Sequence, residues 1–437
     1  MAFIELTKID MPNLNNNNIL INKKQTNITF YLFLFYLALL SMLGFVATDM
    51  YLPSFKSIEG TFNANTSEVA ISLTSFLAGL AIGQLLYGPL VHKIGKRNSL
   101  FVGLSLFMLA SALIANSDSI LMMNIARFFQ AIGACSAAVI WQAIVIEQYP
   151  ADKAQNIFSN IMPLVALSPA LAPIAGAMIL NSFGWRAVFI SLCIIAVLLI
   201  AMTYFFVPKE QVSVHKSKTH IRYKQLLSNT RYLGNVVIFG ACSGAFFAYL
   251  TLWPAVMEQY GYAATEIGLS FIPQTIMFIV GGYSSKLLIR KFGTKISLNC
   301  LLILFGLCVA AIFTSSVILN TETILPLLIA FSLLAGSNGA IYPIVVNNAL
   351  QEFSNNAAKA AGLQNFLQIT ISFGASSLVA IWASAGDNAI GWGILACSVL
   401  VAVGHVIKSH DSWAQINQYF TFPDPARLSK AFTKHDQ

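Results

Sequence analysis

One carboxylate, Asp49, lies well inside a long apolar stretch that runs from about residue 30 to residue 55 and contains FLFYLALLSMLGFVATDMYLPSF. A charge held in hydrocarbon costs roughly 3 kcal/mol or more, so an acid kept there marks an ion, proton or substrate path. Hydrocarbon disfavours the ionised form, which suits such an acid to taking up and releasing a proton. The plain alternative is a carboxylate at the outer end of its helix that faces water. Phe45 and Met42 fall one and two turns earlier on the same helical face, so the acid is expected to look into a mostly apolar cavity. Pro53, four residues on, has no N–H to donate and is expected to bend the helix. Arg127 is the matching cation, the one basic residue within a span. Ala131, Ala134, Ala138 and Trp141 share its face and leave room for the long side chain or for close helix contact. Snorkelling to the outer surface is the other reading of Arg127.

The elements that carry these residues are membrane helices. The chain has 437 residues, 57% of them hydrophobic and 10% charged. The apolar residues come in twelve blocks of about bilayer length, near 28–55, 67–91, 98–116, 119–146, 155–181, 186–207, 233–257, 265–288, 296–318, 323–349, 361–384 and 389–408. The first block is too long and too far from the start for a cleaved signal peptide, and the tail before it is polar and Asn-rich. Of 25 lysines and arginines, only Lys56 and Arg186 fall in outer segments and Arg127 in a span. The rest, including Lys286 and Lys359, are assigned to inner tails and loops, which places both termini in the cytoplasm. The net charge of +8 is thus a matter of topology, and no nucleic-acid partner is expected. The six cysteines all lie in apolar spans without a CxxC pair and read as buried small hydrophobes, so no metal is expected. No ATP-binding GKS/T loop occurs, so energy must come from a gradient, and no cofactor is expected. The histidines (His92, His215, His220, His405, His410 and His435) lie in loops, tails or near a helix end, which leaves an intramembrane enzyme without its parts.

The longest interior polar segment, 208–232, divides the chain six plus six. The expected plan is an all-α membrane protein with a tail at 1–27, a helical bundle at 28–207, a linker at 208–232, a second bundle at 233–408 and a polar tail at 409–437. HKIGKR after the second block is echoed by RKFGTK after the eighth, with Gly95 opposite Gly293 and Arg97 opposite Lys295. Two related halves imply a central site at their interface, reached by rocking.

GQLLYGPLVHKIGKR resembles the signature loop of the major facilitator superfamily. ATDMYLP, GQLLYGPL, ARFFQAIGA, SPALAPIAG and GWRAVF are similar to the Bcr/CflA group of bacterial drug-resistance transporters, most densely in the amino-terminal half. The resemblance implies twelve helices in two pseudo-symmetric bundles and a proton-coupling role for Asp49. It implies Arg127 as that acid's neighbour, with a pairing that would oppose the effect of burial. The family's RxxQGxG pattern appears with Ala131 in place of its first glycine. It also implies a gating loop at Gly88, Gly95 and Arg97, with His92 where the family has an acid. A neutral imidazole still accepts a hydrogen bond, whereas a protonated one is repelled by a helix amino terminus. Pro169, Pro173 and Gly176 read either as a kinked sliding surface, similar to the family's antiporter motif, or as an ordinary packing helix. In this fold the first, fourth, seventh and tenth helices line the cavity. The expected substrate wall is therefore Phe45, Trp141, Gln142, Phe246, Tyr249, Trp253, Asn338 and Tyr342, with Gln364 and Gln368 adding amides; an aromatic stripe facing lipid is the alternative. Such a wall suits amphipathic, partly aromatic molecules. The leading expectation is a monomeric proton-coupled multidrug exporter that confers antibiotic resistance. Proton-driven uptake of one compound, such as a nucleoside or siderophore, stands beside it.

Overall fold

The computed structural model describes residues 23–64, 66–165, 167–209, 221–262, 264–319 and 323–420, and these are almost wholly helical. In chain order the helices are α1 (Lys23–Asp49), α2 (Phe55–Phe62), α3 (Thr66–Ala115), α4 (Ile120–Gln148), α5 (Ala151–Val165), α6 (Ser168–Phe183) and α7 (Trp185–Phe206). They continue as α8 (Tyr223–Ser228), α9 (Thr230–Gln259), α10 (Ala264–Ser270), α11 (Ile272–Phe313), α12 (Leu325–Gln351), α13 (Ala357–Ile381) and α14 (Asp387–Phe420). A chain this apolar has no water at depth to bond its peptide groups, so each segment must satisfy them internally. Eight helical stretches among the described residues are long and apolar enough to cross a membrane.

Two of the helices are really hairpins of two segments. Gly95 (φ 80°) breaks α3 and Gly293 (φ 76°) breaks α11, each in backbone that favours glycine because it has no Cβ. Cut there, and with α5 and α6 taken as one interrupted segment, the described residues hold twelve long segments at the twelve apolar blocks. The echoed HKIGKR and RKFGTK are thus two copies of one turn. Both breaks lie at one end of the molecule, called the glycine end below. Short connections then alternate the remaining segments, so Asp49 and the start of α4 lie at the far end.

Some boundaries differ from the sequence reading. The helix does not merely bend near Pro53: α1 stops at Asp49 and a 3-10 turn, Leu52–Ser54, follows with Pro53 in it. At the other terminus α14 runs on to Phe420, past the expected end of the bundle. The expected tails and linker fall partly on residues 1–22, 210–220 and 421–437, which lie outside the described residues. Asn229 starts α9 by accepting a bond from the Tyr232 amide at 2.7 Å, which satisfies a helix-end N–H.

Packing follows the small residues. A Cβ on Gly133 of α4 would come within 2.5 Å of the Phe107 amide nitrogen of α3, so these two helices touch backbone to backbone. α1, α3, α4 and α7 pack together, and so do α9, α11, α12 and α14. Two elements cross between these groups: α5 lies against α11 and α12, and α13 lies against α3 and α4.

Candidate functional site

Asp49 is half-buried on the last turn of α1, and no hydrogen bond ties it to another described residue. On its face Met42 is half-buried and Phe45 is 44% exposed, so this flank of α1 is open while the opposite flank packs on α4 to α7. Arg127 sits close by and is fully buried. It does not snorkel, and it forms no ion pair with Asp49. Its Nη1 instead donates to the Ala47 carbonyl at 3.0 Å and to Gln130 Oε1 at 2.6 Å. Gln130 in turn donates to Ser111 Oγ at 2.7 Å. The guanidinium is held between the rings of Tyr51 and Phe76, 4.1 Å from each centroid. The cation therefore grips the backbone of α1 two residues before the acid, and Nε and Nη2 have no hydrogen-bond partner among the described residues. Close helix contact supports this seat from the other side. A Cβ on Gly176 of α6 would fall 1.8 Å from the Met50 carbonyl oxygen, next to Asp49. Pro173 lies inside α6. Pro169 is in its first turn, with its side chain outside the described residues.

The expected wall residues divide. Tyr249 and Trp253 are buried in an aromatic cluster with Phe271 and Phe331, where Trp253 donates to Ser270 Oγ at 2.8 Å and Tyr249 accepts from Gln274. Phe246, the third member of that stripe, is half-buried beside Phe247. Tyr342 is half-buried between Phe239 and Phe278. Trp141 is buried with its ring edge on Phe158, 5.2 Å between centroids. The amides are the more unusual group. Asn338 donates to the Cys242 carbonyl at 3.1 Å, yet its Oδ1 is unbonded. Gln364 is fully buried with neither amide atom bonded, and Gln142 keeps a free Oε1. Gln368 donates to Ser243 Oγ at 2.7 Å. A buried amide atom without a partner costs about 1–3 kcal/mol, which is tolerated where another conformation or a ligand bonds it.

Of the expected gating residues, Gly88, His92, Gly95 and Arg97 lie at the glycine end, whereas Gly176 lies beside Met50 at the far end. Gly88 of α3 lets Lys359 of α13 approach, since a Cβ would come 2.7 Å from the Lys359 Cα. His92 is exposed on the last turn before Gly95 and helps line a small cavity with Gly88, Glu147, Ile221 and Lys359. Arg97 stacks over Tyr204, 4.7 Å from its centroid, and Lys96 pairs with Glu147. Around this end the two helix groups are joined by bonds that the sequence reading did not name. Asn365 donates to Gln84 at 3.3 Å and to the Ala138 carbonyl, and accepts from Gln142. Asn347 donates to the Ala151 carbonyl, Ser159 bonds Ser285, and Lys286 bonds Asn160. Gly362 adds a bare backbone contact, for a Cβ there would meet the Gln84 carbonyl oxygen at 2.2 Å.

Comparison with known proteins agrees with this geometry. Residues 37–377 match the family model described as Major Facilitator Superfamily. A bicyclomycin resistance protein homolog of Haemophilus influenzae is 24% identical over 80% of this chain and 88% of its own. An uncharacterized MFS-type transporter of Bacillus subtilis, YdgK, is 29% identical over 79% and 88%. Multidrug resistance protein D of Escherichia coli is 23% identical over 84% and 93%. Among solved structures, the transporter FucP in the outward conformation superposes with a TM-score of 0.68 at 15% identity, over 87% of this chain and all of that one.

Proposed function

Because the chain belongs to the Major Facilitator Superfamily, we propose that it is a multidrug-type exporter that exchanges small organic molecules for protons by alternating access. The relatives named for bicyclomycin and multidrug resistance support export of such compounds. The scarcity of basic residues in outer segments supports a cytoplasmic glycine end and cytoplasmic termini, in the inner membrane of a bacterium. On that orientation the bonded glycine end is a closed inner gate, and the molecule is open outwards. Residues 28–207 and 233–408 are the two rocking bundles, and α5 and α13 are the elements that meet across them.

One observation carries the coupling role: Asp49 is a membrane carboxyl without a hydrogen-bond partner among the described residues, two residues from a backbone carbonyl clamped by a buried guanidinium. A carboxylate left in such a seat is costly, and a proton removes the cost. Protonation from the outside would neutralise the acid and release α1 to move. Return of the proton inside would restore the charge and favour the outward form. Arg127 positions α1 in this scheme and is not itself the proton carrier. The side-chain oxygens of Asn338 and Gln142 and the whole amide of Gln364, which have no partner among the described residues, are the groups a substrate would satisfy as the bundles rock.

The test is transport in proteoliposomes with an imposed pH gradient, with internal pH followed while amphipathic drugs, nucleosides and chelators are screened. Substrate-dependent proton movement that Asp49→Asn abolishes is the expected result, and opposite directions of proton and substrate identify export. Coupling as good as wild type in Asp49→Asn would sink the assignment of the acid. Proton and substrate moving together would overturn export in favour of uptake.

A further inference from the structure

Lys286 is out of place for a loop cation. It lies inside α11, seven residues before the break at Gly293, which at 1.5 Å per residue is about 10 Å into the segment. Its ammonium bonds the Asn160 side-chain oxygen of α5 and lies 5.1 Å from the Tyr283 ring centroid. No carboxylate lies within ion-pair distance of it among the described residues. A cation at membrane depth without an acid partner is either turned to a water-filled space or reaches for the headgroups.

Its neighbours decide between these. Ser285, the residue before it, is buried against Ser159, and Gly282 is packed against Pro163, so the seam between α5 and α11 lies on that side. Leu287, the residue after it, is 68% exposed, Tyr283 is 41% exposed, and Leu164 of α5 is exposed as well. The helix groups are in contact at this end, so apolar side chains exposed here face hydrocarbon. Lys286 therefore occupies the membrane edge of the seam, between its packed interior and the lipid. Arg290 follows one turn nearer the headgroups on the same face of the helix.

We propose that Lys286, drawn from its bond to Asn160, binds the phosphate of an anionic membrane phospholipid seated at the inner-leaflet edge of the α5–α11 seam. The phosphodiester supplies the counter-charge the protein withholds, the exposed Tyr283, Leu287 and Leu164 lie along the acyl chains, and basic pockets between membrane helices have this chemistry in general. Binding draws the ammonium away from Asn160, so the lipid and the bond across the seam compete for one cation.

The experiment uses full-length protein purified in detergent and stripped of lipid, titrated with dioleoylphosphatidylglycerol or dioleoylphosphatidylcholine, with bound lipid counted by native mass spectrometry. Wild type is expected to bind the anionic lipid about fivefold more tightly than Lys286→Gln, the factor equivalent to the ~1 kcal/mol one lysine gains at an anionic surface. Lys286→Arg should match wild type. Asn160→Leu, which removes the competing acceptor, should bind at least as tightly as wild type. Equal binding by Lys286→Gln, equal binding of the two lipids, or displacement of the anionic lipid by equimolar inorganic phosphate would each overturn the site. If Lys286→Gln does not fold, weaker binding by Asn160→Leu overturns it alone.

Discussion

Replacing Gly362 with alanine is a single-methyl test of the proposed closed inner gate. The new Cβ would sit 2.2 Å from the Gln84 carbonyl oxygen and 3.4 Å from its carbon, across the contact between α13 and α3. Ordinary contact is about 1 Å longer than the first of these distances, and a backbone carbonyl cannot swing aside as a side chain can. Overpacking of this kind costs typically 1–3 kcal/mol. Here the cost falls on the conformation in which α3 and α13 touch, and the conformation in which they separate escapes it. That differential translates into a shift of about 5–150-fold toward the inward-open form. Spin labels at the exposed positions Lys93 and Lys291, one in each helix group, would read the separation by pulsed dipolar spectroscopy in nanodiscs. Two controls separate state from stability. Gly374→Ala, on the same helix with nothing within 4 Å, should leave the distances unchanged. Gly281→Ala places its Cβ 1.8 Å from the Gly336 oxygen, within one helix group, and should lower thermal stability without moving the populations. A distance distribution for Gly362→Ala that matches wild type would refute the reasoning.

Arg127→Lys keeps the charge but loses the flat contact with Tyr51 and Phe76, so a loss of about 2 kcal/mol in unfolding free energy is expected, with Arg127 behaving as an anchor of α1. Tyr36→Phe removes a hydroxyl bonded to Thr203 at 2.8 Å, whose own proton goes to the Leu199 carbonyl. It should cost about 1 kcal/mol in the same melt and leave proton coupling intact. Tyr223 donates to the Leu85 carbonyl at 2.8 Å, while Lys359 donates to the Ile221 carbonyl at 2.6 Å. Lys359→Met should therefore speed limited proteolysis next to Ile221 roughly tenfold, given ~1.5 kcal/mol for a bond from a charged donor; an unchanged cleavage rate would refute a holding role for this bond.

The helices and their turns were legible because hydrocarbon imposes one length and one periodicity, and the echo of Gly95 in Gly293 announced a repeated backbone break. The seats of individual side chains were less so. A stripe of Phe246, Tyr249 and Trp253 marks a face, yet only the packing of Phe331 and Ser270 reveals that two of its members turn into their own bundle. The proximity of Asp49 and Arg127 was readable from the motifs, whereas the choice of the Ala47 carbonyl over the carboxylate depends on helix rotation, which spacing does not encode. The bonds of Asn365, Asn160 and Lys286 join residues more than a hundred positions apart, beyond the reach of any local pattern. Tyr223 was hidden for the opposite reason, since a polar linker gives no sign that one ring within it bonds the Leu85 carbonyl and lies 4.3 Å from the Lys359 ammonium.

The bonds named across the inner seam are made by amides, hydroxyls, backbone carbonyls and one lysine to an amide. Bonds of this kind contribute about 1 kcal/mol each after exchange with water, and screening by salt hardly touches the neutral ones. A seam joined mainly by neutral bonds responds little to ionic strength. The six bonds amount to roughly 6 kcal/mol, about the differential affinity by which one ligand turns a two-state equilibrium from 1:99 to 99:1.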